Sequence, residues 1–164
     1  MTLRTSFAVV AFALTTLPAS AHMIIEAAYA RAATPNAKTG AAFMQITNHS
    51  ESADRLVGVL SNAAKRVELH THEETSDGVM MMIHVDEGFA FEPNETISLA
   101  RGGKHVMLMG LNAPLVQDET VSITLIFENA GEVPVIEPVD NLRKAEHGST
   151  DHSGHKMDHS THTN

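Results

Sequence analysis

Not one cysteine occurs among the 164 residues. That excludes a disulfide scaffold, a thiolate zinc knuckle, a CxxC redox pair and a cysteine nucleophile. It also excludes blue-copper and binuclear copper electron transfer, which both need a thiolate ligand. Positive charge is scarce: 11 Lys and Arg stand against 20 Asp and Glu, a net charge of -9. Phosphate backbones are held by clustered cations, so nucleic acid is not an expected partner. No nucleophile-elbow pattern accompanies the serines.

Long apolar runs are absent beyond the first segment. Arg4 precedes Phe7 to Leu17, an apolar run of 11 residues, and Pro18 with Ala19-Ser20-Ala21 follows it. This is the pattern of a secretory signal peptide, too short to span a bilayer as a helix. The expected organisation is a signal peptide over 1–21, a folded domain over 22–139 and a tail over 140–164. Cleavage would remove one Arg and no acid, moving the net charge from -9 to -10. The implied location is the periplasm, free of the membrane after cleavage, and a monomer is expected. His22, as a new N-terminus, would offer an amine and a ring to Cu(II).

The folded part reads as strands. Met23–Ala30, Ala41–Thr47, Asp54–Leu60, Lys65–His72, Val79–Val85, Thr96–Ala100, Lys104–Met109, Thr120–Phe127 and Glu132–Val139 are apolar or alternating runs between turn residues. Phe89–Asn94 reads as a connection containing Pro93. Short strands about 8–15 residues apart, with no convincing helix, predict an all-β antiparallel sandwich or barrel. Pro134 and Pro138 predict that the last strand is an edge.

What the chain does have is imidazole and thioether. Val67 to Met109 holds five of the nine methionines and four of the eleven histidines. Donors of this softness, without thiolates, point to copper. Residues two apart on a strand share a face. His105 and Met107 therefore pair, with Met109 on the same side, as do His70 with His72 and Met80 with Met82; Met81 faces the other way. Three strand ends meeting at one edge could present two imidazoles and two thioethers to one ion. Met44 and Met109 read as core filler, and His49 and His84 as surface or hydrogen-bonded residues.

The runs Tyr29–Ala32, Ala41–Met44, Val67–Thr71, Gly78–Met82, Gly102–Leu111 and Leu125–Glu128 resemble the periplasmic copper chaperones called PCu(A)C. Their signature is a His, about ten residues, a Met, about twenty-one residues, then His-x-Met. The resemblance covers Ile25 to Val139. It implies a cupredoxin-like antiparallel β-sandwich (Greek key) and Cu(I) bound by two His and two Met. It also implies delivery towards cytochrome c oxidase, to an apo-oxidase copper domain or another copper chaperone. Carried over, the metal ligands are His70, His105, Met107 and a middle Met. Counting ten residues from His70 reaches Met81; aligning on Gly-Val-Met-x-Met reaches Met82. Met82 is preferred because the Glu73–Asp77 turn tolerates an insertion. His72 is an alternate or additional ligand.

The tail from Glu146 to Asn164 is almost devoid of apolar residues and is expected to be disordered. Its His147, His152, His155, Met157, His159 and His162 are candidates for an auxiliary copper site, including Cu(II). Two other functions use the same residues. A storage or resistance protein would need no delivery partner. A cupin-type metalloenzyme would use His70-x-His72, but Ser76 and Asp77 stand where that motif wants Glu, and Met109 where its second half wants Asn. The expected function is therefore metal carriage, not catalysis.

Overall fold

The computed structural model describes residues 22–144. The expected signal peptide and the tail histidines lie outside them. Ten strands follow in order: β1 (Met23–Ala32), β2 (Thr39–Asn48), β3 (Asp54–Leu60), β4 (Ala64–Glu74), β5 (Met80–His84), β6 (Phe89–Phe91), β7 (Thr96–Leu99), β8 (His105–Leu111), β9 (Thr120–Phe127) and β10 (Gly131–Pro138). No helix of the described part is long and apolar enough to cross a membrane.

The strands form two antiparallel sheets. The first runs β1-β2-β8-β4-β5, with β7 also paired to β2; the second runs β10-β9-β3-β6. The chain is an all-β, cupredoxin-like sandwich. Alternation built it: Val106 and Leu108 of β8, Ile123 and Leu125 of β9, and Leu56 of β3 are buried, while their strand neighbours face outwards. Met44 is core, as its strand pattern implied. Both terminal strands, β1 and β10, lie at sheet edges, and β10 carries Pro134 and Pro138 there.

One element was not legible. Phe89–Phe91 is not a connection but a short strand, paired with β3, that buries both phenylalanines. Three residues are too few for a period of two to declare itself.

Two local features position the functional face. In β1 the register slips between Glu26 and Tyr29, around Ala27 at φ 51°. A bulge of one residue exchanges the faces of everything beyond it. Tyr29 is thereby set opposite Phe43 on the outer face, and Ala30 enters the core. At the other end of β10, residues 140–144 are tied down. Asn141 accepts from Ala32 N–H through Oδ1 (2.9 Å) and donates to Leu115 O (2.9 Å). The Arg143 guanidinium lies 4.3 Å from the Tyr29 ring centre, within cation–π range.

Candidate metal centre

The patch is built by register. In the β4–β8 ladder His70 stands opposite His105, Glu68 opposite Met107 and Arg66 opposite Met109. In the β4–β5 ladder His70 stands opposite His84, His72 opposite Met82 and Glu74 opposite Met80. Residues directly opposed in antiparallel strands point the same way. His70, His72, His84, His105, Met80, Met82 and Met107 therefore share the outer face of the first sheet. Met81 pairs with Glu73 and lies on the opposite face. Met109 is not core filler: it is half-buried on the outer face, and Arg66 Nη2 lies 3.3 Å from its sulfur.

The rings form a row across five strands. Centroids are 5.1 Å apart for Tyr29–Phe43, 6.2 Å for Phe43–His105, 5.9 Å for His105–His70 and 5.7 Å for His70–His84. His72 stands beside the row, 5.3 Å from His105. Aromatic pairs at such spacings contribute about 0.5–1.5 kcal/mol each beyond area burial. Exposure rises along the row: His105 is 3% exposed, the His70 side chain 12% and the His84 side chain 43%.

Hydrogen bonds fix which nitrogen of each neutral ring keeps its lone pair. His105 Nδ1 donates to Gly103 O at 2.9 Å, and His72 Nδ1 donates to the same oxygen at 3.2 Å. A carbonyl only accepts, and has two lone pairs. Both rings must therefore carry the proton on Nδ1, which leaves Nε2 as the donor atom for a metal. Gly102, at φ 83°, turns the chain so that the Gly103 carbonyl faces these rings; a side chain there would be strained by backbone conformation alone. His70 is the reverse case. Its Nε2 donates to Glu68 Oε2 at 2.9 Å, and its Nδ1 is buried without a partner among the described residues.

Electrostatics agrees with a neutral His105. Burial pushes His105 below its ordinary value; the Gly103 bond opposes this, and His72 and His70 add to the lowering. The bond from His70 holds the Glu68 carboxyl below the usual carboxylate range, against an opposing push from burial, and the Arg66 charge lowers it further. Arg66 Nε lies 3.1 Å from Glu68 Oε1. Arg66, Glu68 and His70 thus form a chain along one face of β4, two residues apart.

These residues fit a soft cation. A buried imidazole nitrogen without a partner costs free energy that a bound ion would relieve. Neutral thioethers beside it disfavour hard, oxygen-seeking cations. Among the described residues no three His, Asp or Glu side chains make a ready-made cage, so the donor set the patch offers is mixed nitrogen and sulfur. Reading the sequence alone left out Glu68, Arg66, the Gly103 carbonyl and the place of His84 in the row. The signal for His84 was present: Met82-Ile83-His84 is His-x-Met in reverse order.

A two-layer antiparallel sandwich with a His/Met patch at one end of a sheet face defines a cupredoxin-like domain. The chain belongs to the LpqE-like family, described as putative lipoproteins, whose model matches residues 23–139, and with it to the PCuAC domains. A putative lipoprotein of Leifsonia xyli subsp. xyli is 37% identical over 105 residues, 64% of this chain and 63% of that protein; the chain thus spans less than two thirds of this relative's length. Among solved structures, the Cu(I) form of DR1885 from Deinococcus radiodurans is 34% identical, with a TM-score of 0.56, over 72% of this chain and 79% of the other. The copper-bound PCuAC domain from PmoF2 is 25% identical, with a TM-score of 0.59, over 73% and 92%.

Proposed function

We propose that this protein is an exported Cu(I) carrier. It holds the ion with His70, Met82, His105 and Met107 and releases it by ligand exchange to an apo-oxidase copper domain or another copper chaperone. The observation that carries this reading is the His70–His105 pair, in register on one sheet face, with Met107 and Met82 on the same face. Two similar solved domains are described as copper-bound or in the Cu(I) form. Neutral imidazole and thioether donors hold Cu(I) without the strong grip of a thiolate, which suits an ion that must leave again. His72 is the alternate imidazole. Met81 is the weaker alternate because it pairs with Glu73.

Export rests on the apolar leader. The relatives' names carry the word lipoprotein, but this chain has no cysteine and so no thiol for a lipid. His147, His152, His155, Met157, His159 and His162, beyond the described residues, supply an auxiliary pool that takes Cu(II) as well.

The test is a Cu(I) and Cu(II) titration of the mature protein and of a version ending at Lys144, against a competing chelator. One tight Cu(I) equivalent that survives truncation, with Cu(II) capacity lost, is the expected result. Loss of all Cu(I) binding on truncation, or unchanged Cu(I) affinity in the double variant His105→Ala and Met107→Leu, would overturn the assignment.

A further inference from the structure

Beside Met82, the β5 strand carries a donor, His84, that the four-ligand site leaves unused. Met80, Met82 and His84 alternate on the face that bears His70 and His72. β5 is the outermost strand of its sheet, and all three side chains are exposed: Met82 is 46% and Met80 55% exposed. His84 is the outer end of the ring row, 5.7 Å from His70. Its Nδ1 lies 3.2 Å from Oδ1 of Asp86, whose side chain is largely exposed.

We propose that His84, with Met82, is a second copper station, through which Cu(I) passes between the buried ligands and an acceptor docked at the β5 edge. This inference rests on the Cu(I) reading above.

Ring centres 5.7 Å apart are close enough for one ion to pass between the two imidazoles, since a metal–imidazole bond is about 2 Å. Met82 is common to both stations. It keeps its bond while His105 and Met107 let go and while His84 takes hold. The ion stays Cu(I) throughout; every bond broken and formed is to a neutral donor, and no proton or electron moves. The ion thus travels from a 3%-exposed imidazole to a 43%-exposed one without entering bulk water. The mirrored spacing supports the pairing: Met82-x-His84 on β5 answers His105-x-Met107 on β8.

The test uses the Cu(I)-loaded full-length mature protein without oxygen. Transfer to an excess of a chromophoric diimine chelator is followed by stopped flow, and affinity is measured separately by equilibrium competition. His84→Asn is expected to leave affinity within about twofold and to slow transfer roughly tenfold, as loss of a supporting group at a metal site does. In the wild type, a second equivalent of Ag(I), a redox-inert mimic, is expected to shift the Met82 methyl resonance and the His84 ring nitrogens. Unchanged transfer in His84→Asn overturns the relay. So does a tenfold loss of affinity, which would make His84 a resting ligand. A wild type that binds no Cu(I) removes the inner site and the relay together, whereas binding with no rate effect removes the relay alone.

Discussion

Glu68 Oε2 lies 2.9 Å from His70 Nε2, while the other nitrogen of that ring is buried with nothing to bond among the described residues. The carboxylate therefore selects the tautomer and leaves Nδ1 with the lone pair. Long-range nitrogen–proton NMR of the metal-free protein should find His70 protonated on Nε2 and His105 on Nδ1. Glu68→Gln should mix the His70 tautomers and weaken Cu(I) binding roughly 10- to 100-fold, the usual cost of losing an outer-shell partner. A His70 protonated on Nδ1 in the wild type would refute the assignment.

Strand alternation separates the two candidate methionines. Met82 is opposed to His72, and Met81 to Glu73 on the other face. Met82→Leu should therefore cost Cu(I) affinity roughly tenfold or more, since Leu keeps the volume and removes the soft donor. Met81→Leu should leave affinity unchanged in the same competition titration. The opposite ranking would mean that β5 binds in a different register.

Glu137 has no exposed surface, and among the described residues neither carboxylate oxygen has a hydrogen-bond partner. Burial pushes its carboxyl from an ordinary 4.5 up to about 8. Between those values the unfolded chain binds fewer protons than the folded one, so stability falls as pH rises. This contribution is complete below about pH 4.5 and lost by about pH 8, at a cost of about 5 kcal/mol. Urea unfolding across this range should show the slope in the wild type and a much flatter curve in Glu137→Gln. Parallel curves would show that Glu137 does not cause it.

Asp54 clamps the β9–β10 turn to the start of β3. Its Oδ1 accepts from the backbone N–H of Asn129 and its Oδ2 from that of Ala130, each at 2.9 Å. Asp54→Ala strands two part-buried donors and should destabilise the fold by about 2–4 kcal/mol. The metal patch lies on the other sheet. Thermal unfolding of the apo form should show the loss, while Cu(I) affinity at low temperature should not change.

Several features were decided by the sequence alone. The missing cysteines removed every thiolate site. The period of two in Lys65–His72 and Lys104–Met109 assigned Val67, Leu69, Val106 and Leu108 inwards and the His and Met residues outwards, because side chains on a strand have only two directions. The same rule put Met82 and Met81 on different faces. What a one-dimensional pattern cannot carry is which strands are neighbours. That β8 sits between β2 and β4, and β5 beyond β4, depends on how two sheets bury their inner faces together. Only that order turns His84, His70 and His105 into a row, joins Glu68 to His70, and gives His72 and His105 one shared carbonyl. Met109 shows the limit most directly. Its strand position was legible, but its half-buried place against Arg66 follows from β4 lying beside β8, and spacing within one strand says nothing about the strand next to it.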